Sequence, residues 1–172
     1  MKKGFTIVEL IVSFSLTMIV AVFLFQIIII LRNLYNNNAV KTELLNKQFV
    51  ISDKLNTAIK SKGIYTINKC GSHCLNFIYT DGTGEQLLID YNDNSFTFGE
   101  YKTKLPENSY FKNVSVNVVY SPVFDESKNN AILYIDIPIY NDNLKSQNLG
   151  VNVVYQFNSN NANISDISFD SN

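Results

Sequence analysis

The chain has 172 residues and a formal net charge of −1, with 14 Lys and Arg residues against 15 Asp and Glu residues. This length suits one globular domain plus an anchoring segment. Neither a basic patch nor an acidic tail stands out, so the composition gives no electrostatic support for nucleic-acid binding.

The first predicted element is a long apolar helix from Phe5 to Leu31, in which Glu9 is the only ionisable side chain and Gln26 the other strongly polar one. At about 1.5 Å per residue the segment makes a helix of roughly 40 Å, longer than a hydrocarbon core of about 30 Å. No Pro or Gly interrupts it, so we expect a continuous membrane-spanning helix. A cleaved secretory signal has a shorter apolar core followed by small residues, and Arg32-Asn33-Leu34-Tyr35 is a poor site of that kind.

Basic residues flank this segment asymmetrically. Lys2 and Lys3 precede it and, together with the initiator amine, outweigh Arg32 on the other side. Because cytoplasmic flanks carry the excess of Lys and Arg, the N-terminus is expected in the cytoplasm and everything after Leu31 outside it.

Glu9 is the anomaly of the apolar run, since a carboxylate inside a bilayer costs free energy and calls for a partner. Two interpretations are open from the residue alone: Glu9 lies shallow enough to reach the lipid headgroups, or it pairs with a positive group. The neighbouring residues favour the second interpretation. They read Lys2-Lys3-Gly4-Phe5-Thr6-Ile7-Val8-Glu9-Leu10.

This junction resembles the prepilin motif of type IV pilins, type II secretion pseudopilins and competence pilins. The resemblance implies that a membrane aspartyl peptidase cuts between Gly4 and Phe5. Phe5 then becomes the N-methylated first residue of the mature protein, and Glu9 becomes its fifth. In the family this carboxylate lies beside the N-terminal amine of a neighbouring subunit, and opposite charges at such short range attract strongly. Glu9 is therefore expected to set the axial register between subunits.

The helix is predicted to continue beyond the membrane as an amphipathic segment over residues 32–62. Apolar residues recur there at helical spacing and form one face that packs on a sheet. They are Leu44, Leu45, Ile51, Leu55, Ala58 and Ile59. The run Asn36-Asn37-Asn38 has poor helix propensity and allows a break or bend. Gly63 is the expected C-terminal stop.

From Ile64 onward the pattern predicts β-strands, because short apolar runs alternate with Gly, Asn and Asp turns. The predicted runs are residues 64–67, 75–79, 86–91, 95–101, 113–120, 132–140 and 151–157. Pro138 indicates an edge position or a strand irregularity. Ile164, Ile167 and Phe169 could add a short strand near the C-terminus.

The predicted fold class is α+β, with a long N-terminal helix packed on an antiparallel β-sheet, as in pilins. The predicted division is a leader peptide over residues 1–4, a transmembrane and assembly helix over 5–31, an extracytoplasmic amphipathic helix over 32–62, and a β-rich globular head over 63–172. The resemblance contributes most to this architecture, since the β pattern alone does not specify it.

Cys70-Gly71-Ser72-His73-Cys74 is the one cluster that suggests chemistry. An even cysteine count in an extracytoplasmic domain favours a local disulfide between Cys70 and Cys74. A structural zinc site requires four ligands, and this cluster supplies three. A redox motif requires a two-residue spacing, whereas three residues separate these cysteines. Free thiols remain the other alternative.

The sequence offers few residues that could form a catalytic site. His73 is the only histidine, so a Ser-His-Asp triad would have to be built around a loop residue beside two cysteines. The loop from Asp81 to Glu85 could hold Ca²⁺, but such a site needs six or more oxygens and a hairpin turn is the simpler interpretation. We therefore predict no enzyme activity, no cofactor and no metal site.

The predicted function is that of a structural, minor subunit of a type IV pilus, a type II secretion pseudopilus or a competence pilus. The alternative is a pilus-borne adhesin or DNA-uptake module whose head contacts a ligand; a membrane-anchored enzyme is the third hypothesis. The expected partners are other pilin subunits, the prepilin peptidase, the assembly platform protein and, before assembly, membrane lipid. The expected location is the cytoplasmic membrane, as a single-pass protein with an extracytoplasmic head, and then a surface filament.

Overall fold

The structure is a computed structural model that describes residues 6–121, 130–144, 149–158, 163–164 and 167–168. These residues form one long α-helix followed by β-strands. The elements are α1 (Ile7–Lys62), β1 (Ile64–Gly71), β2 (Cys74–Tyr79), β3 (Gly84–Asp90), β4 (Ser95–Phe98), β5 (Tyr101–Lys104), β6 (Ser109–Phe111), β7 (Ser115–Ser121), β8 (Asn130–Asn141), β9 (Leu149–Asn158), β10 (Asn163–Ile164) and β11 (Ile167–Ser168). The predicted α+β class, with a long apolar N-terminal helix followed by antiparallel pairing of strands, is confirmed.

The helix α1 runs without interruption from Ile7 to Lys62, so the break allowed at Asn36-Asn37-Asn38 does not occur. Asn lowers helix stability by less than about 1 kcal/mol per residue, which apolar and charged helix formers on both sides offset. The predicted stop is confirmed: Gly63 has φ +66°, and its N–H donates to the carbonyl of Ile59 at 2.9 Å. A left-handed residue of this kind ends a helix at little cost only when it is glycine.

The chain divides into two compact units, Met1–Val40 and Lys41–Asn172. The second unit holds the last part of α1 and all the strands. There Leu44, Ile51, Leu55 and Ile59 are fully buried and form one helical face. Leu45, which the sequence placed on the same face, is 44% exposed, because it lies a further 100° or so around the helix from Leu44.

Two sheets form rather than the single sheet expected. The first sheet has the order β10-β1-β2-β3-β4-β5, and its pairs are antiparallel except for the parallel pair of β1 and β10. In the second sheet β8 is central. Strand β9 pairs along one side of it, and β7 and β6 pair with successive parts of the other side. Strand β11 pairs with the far side of β7. Both sheets turn apolar residues into the core, including Phe77, Leu87, Phe96, Phe111, Ile135 and Val153.

Two local details differ from the sequence-based expectation. The run predicted as one strand over residues 95–101 is split into β4 and β5, because Gly99 adopts φ +56° and turns the chain back. The short strand β6 was not predicted; its three residues are too few for the alternating pattern to be recognised.

Pro138 lies inside β8, which has neighbours on both sides, so the edge-strand alternative is wrong. Pairing with β7 ends at Asp136 and pairing with β6 begins at Ile139, which leaves Pro138 at the gap between them. Its carbonyl accepts from the N–H of Lys112 at 3.1 Å. Because the nitrogen and carbonyl of a strand residue point to the same side, the nitrogen without a hydrogen also faces this gap. The alternative of a strand irregularity is therefore confirmed.

The C-terminal residues contribute two short strands instead of one. Ile164 belongs to β10 on the first sheet, and Ile167 belongs to β11 on the second. Phe169, the third residue of the expected strand, lies outside the described residues.

Candidate functional site

The N-terminal part of α1 is exposed although it is apolar. Every Ile, Leu, Val, Phe and Met side chain from Ile7 to Leu31 is more than half exposed. Within the described residues, α1 is the one helix long and apolar enough to cross a membrane. Such a surface is stable only when lipid or other apolar side chains cover it.

Glu9 lies in the first turn of this helix and caps it. Thr6 is the residue before the helix, and Glu9 follows three residues later. The carboxylate Oε2 accepts from the backbone N–H of Thr6 at 2.9 Å and from its hydroxyl at 2.8 Å. In return, the N–H of Glu9 donates to the Thr6 hydroxyl at 3.3 Å. This reciprocal arrangement is a capping box, which satisfies backbone donors that the first helical turn leaves unpaired.

The second oxygen of Glu9, Oε1, has no hydrogen-bond partner in the part of the chain that the structure describes. Among the described residues, the carboxylate therefore uses one oxygen, Oε2, to cap its own helix. Gly4 and Phe5, the predicted cleavage and methylation residues, lie outside the described residues, so the predicted junction is not placed.

Three hydroxyls within the apolar run are satisfied by their own helix. Ser13 donates to the carbonyl of Leu10 at 3.0 Å, Ser15 to that of Ile11 at 2.8 Å and Thr17 to that of Ser13 at 2.7 Å. A hydroxyl bonded in this way needs no partner from lipid or from another helix. These polar residues are therefore compatible with an apolar environment.

Cys70 and Cys74 face each other across the turn between β1 and β2. Their Cα atoms are 5.1 Å apart, and the structure joins the pair as a disulfide, within the usual Cα range of about 4.4 to 6.8 Å. His73 in the turn packs edge-on against Tyr91 with ring centroids 4.6 Å apart. No cluster of three His, Cys, Asp or Glu side chains that could hold a metal occurs among the described residues.

The loop considered for Ca²⁺ is a hairpin turn between β2 and β3. Asp81 accepts from the N–H of Thr83 at 2.8 Å and from its hydroxyl at 2.6 Å, and these bonds lower the pKa of Asp81. Glu85 accepts from the ammonium of Lys62 at 2.7 Å and from the hydroxyl of Tyr79 at 2.9 Å. Both carboxylates of the loop thus have protein partners.

Glu85 also belongs to a cluster that the sequence did not reveal. Tyr79 is 1% exposed, and Lys62 in the last turn of α1 lies 4.8 Å from the centroid of its ring. Burial, with the hydrogen bond to Glu85, raises the pKa of Tyr79 well above its usual range. The cluster fastens the end of α1 to the hairpin of β2 and β3, and we assign it a structural role.

A notch on the outer face of the second sheet is a further feature that sequence reasoning missed. It has a volume of about 250 Å³, and its lining includes Asp136, Pro138 and Tyr140 of β8 with Gly150 and Asn152 of β9. These residues come together only through the register of the two strands, in which Asp136 is opposite Asn152 and Pro138 is opposite Gly150. No local sequence signal marks such a site.

Comparison of the chain with protein-family models, with curated proteins and with solved structures found no match.

Proposed function

We propose that the chain is a structural subunit of a type IV pilus or of a related secretion or competence filament, made as a prepilin and polymerised through α1. The observation that supports this proposal most directly is the position of Glu9. It is the only ionisable residue in the apolar part of α1, it lies in the first helical turn, and it keeps one carboxylate oxygen without a partner among the described residues. The basic residues, Gly4 and Phe5 precede it at the spacing of a prepilin junction.

In this proposal Glu9 has two tasks, one for each oxygen. Oε2 stays with Thr6, because cleavage between Gly4 and Phe5 leaves the capping box intact. Oε1 accepts from the N-terminal amine of a neighbouring subunit. A hydrogen bond between two ionised groups is shorter and stronger than a neutral one, and it forms only when the two helices are in one axial register.

The exposed apolar part of α1 explains the two environments of such a subunit. Before assembly, lipid covers the apolar side chains, and Lys2 and Lys3 keep the N-terminus in the cytoplasm. In the filament, the corresponding helices of neighbouring copies replace lipid as the apolar cover. The hydroxyls of Ser13, Ser15 and Thr17, bonded to their own helix, are compatible with either environment.

The head built from the second unit is, in this proposal, exported and carried on the filament. The size of the head favours a minor subunit. The partners are other pilin subunits, the prepilin peptidase that cuts the leader, and the membrane platform that drives assembly.

The proposal is tested at the junction itself. When the full chain is expressed with a prepilin peptidase, mass spectrometry of the N-terminal peptide should show loss of Met1 to Gly4 and one added methyl group on Phe5. Gly4→Ala, the smallest change, should be processed far better than Gly4→Leu, because a branched side chain obstructs the protease site. Retention of Met1 in assembled protein would rule the proposal out.

A further inference from the structure

Gly150, which has no side chain, lines the notch on the second sheet. Gly150 is opposite Pro138, and a Cβ added to it would lie 3.5 Å from the Cα of Pro138 and 3.7 Å from an oxygen of Asp136. Larger residues stand around the gap. The floor is the pyrrolidine ring of Pro138, one wall is polar and the other is aromatic.

The polar wall is the cross-strand pair of Asp136 and Asn152. Neither side chain has a hydrogen-bond or ion-pair partner within the described ranges. Asp136 is half-buried, and this burial raises its pKa. An amide next to a carboxylate offers two N–H donors and several acceptors side by side, which matches two adjacent hydroxyl groups of a ligand.

The aromatic wall is Tyr140, a residue that is 37% exposed. Tyr110 on β6 stacks beside it, with ring centroids 5.9 Å apart and planes inclined by 15°. The ammonium of Lys112 lies 5.4 Å from the centroid of Tyr140. The two rings thus form one aromatic surface, and Lys112 places a donor over the Tyr140 ring.

The charges around the notch favour a neutral ligand. Lys112 and Asp136 carry opposite charges, and no ion pair joins them in the part of the chain that the structure describes. A cationic ligand attracted by Asp136 would meet the ammonium of Lys112 at the same ring, and an anionic ligand would meet Asp136. A ligand with C–H groups on its flat faces and hydroxyls around its rim satisfies the aromatic wall, the floor and the polar wall together.

We propose that the notch between β8 and β9 binds one hexose unit of a neutral glycan. The sugar ring stacks on Tyr140 and Pro138, while two adjacent hydroxyls bond to Asp136 and Asn152. This role goes beyond the structural function proposed above and does not depend on filament assembly.

Saturation-transfer difference NMR on the full chain tests this proposal. A polyoxyethylene ether detergent is suitable because it contains neither sugar nor ammonium. The probes are the methyl glycosides of glucose, galactose, mannose and N-acetylglucosamine, with choline and lysine amide as cationic probes. At least one glycoside should bind saturably. Asp136→Asn, which keeps the shape and removes the charge, and Gly150→Ala, which places a methyl group in the notch between Pro138 and Asp136, should each weaken binding by about tenfold or more.

The matched controls are Asp142→Asn, the same charge change on the exposed turn after β8, and Val154→Thr, on the neighbouring row of the same sheet face. Both should bind as the unaltered chain does. The proposal is overturned if no glycoside binds saturably, or if Asp136→Asn and Gly150→Ala bind the glycoside unchanged. Saturable binding of choline or lysine amide in place of the glycosides would also overturn it, since the notch would then be a site for cations.

Discussion

At the scale of single residues, Glu9 connects a local helix cap with the proposed contact between subunits. These two tasks separate by mutation. Glu9→Gln retains an amide oxygen that can accept from Thr6, but it removes the charge that would pair with a neighbour's amine. Thr6→Ala removes the cap and retains the charge.

We therefore expect Glu9→Gln to reach the membrane in normal amount while its content in sheared filaments falls by about tenfold or more, because an unpaired buried amine is strongly unfavourable. The filament content of Thr6→Ala should fall much less, since an N-cap contributes only about 1 kcal/mol to the stability of a long helix. Immunoblots of the membrane and filament fractions measure both. Equal filament content of Glu9→Gln and the unaltered chain would contradict the role of the charge.

The residues of this site were readable from the sequence to different degrees. Glu9 was identified because a carboxylate in an apolar run is conspicuous, and the Ser/Thr-x-x-Glu spacing of Thr6 and Glu9 also marks a capping box. Only the structure shows that the capping box uses one oxygen of the Glu9 carboxylate, Oε2. The cluster of Lys62, Tyr79 and Glu85 had no comparable signal, because its members are separated along the chain and ordinary in type.

At the scale of elements, the hairpin of β1 and β2 is closed by Cys70 and Cys74 across a short turn. In the proposed extracytoplasmic location this disulfide is expected to be formed. Closing so short a loop lowers the conformational entropy of the unfolded chain, which in the chain-entropy account stabilises the folded protein by about 2 kcal/mol.

We expect the double variant Cys70→Ser with Cys74→Ser to lower the free energy of unfolding by about this 2 kcal/mol, measured by chemical denaturation of the full chain in detergent. Dithiothreitol should lower the stability of the unaltered chain by the same amount. It should leave the stability of the double variant unchanged, so this variant is the control for any other effect of the reagent. Two thiols that react with iodoacetamide in the native, unreduced protein would show that the disulfide is absent.

Element type was more predictable than element limits. The helix, the hairpins and the alternating run of β8 followed from periodicity, because each reflects one buried face. The sequence did not predict that α1 continues through Asn36-Asn37-Asn38, because the low helix propensity of Asn weakly opposes a helix there. The place of Pro138 depended on where β7 ends and β6 begins, which is a relation between distant strands.

At the scale of the whole molecule, the second unit, Lys41–Asn172, contains its own core. Leu44, Ile51, Leu55 and Ile59 of α1 are all fully buried in it. At about 1.5 to 3 kcal/mol for each side chain, this burial is worth roughly 6 to 12 kcal/mol. That is comparable with the whole stability of a domain, which is about 5 to 15 kcal/mol.

A fragment that begins at Lys41 is therefore expected to be soluble and folded, whereas a fragment that begins at Lys60 should lose the helical face and fail to fold. Circular dichroism and a cooperative thermal transition distinguish the two. A fragment from Lys41 that is insoluble, or that melts without cooperativity, would contradict the assignment of this part of α1 to the core of the second unit.

The sequence predicted the fold class but not the presence of two sheets. Hairpins between consecutive strands are local, so the order from β1 to β5 could be anticipated. The pairing of β6 and β7 with the same side of β8 depends on contacts across dozens of residues, which hydrophobic alternation does not encode. The notch at Gly150 depends on that arrangement and was hidden for the same reason.

The short C-terminal strands determine when, during synthesis of the chain, two sheet edges become covered. Two residues of β10 cover part of the edge of β1, and two of β11 cover part of the edge of β7. An uncovered edge offers free donors and acceptors to strands of other molecules. A chain synthesised only as far as β9 therefore presents two additional open edges, and removal of the residues from Asn163 onward uncovers both at once. Synthesis through β11 thus covers these edges and removes two places at which one molecule could pair with another.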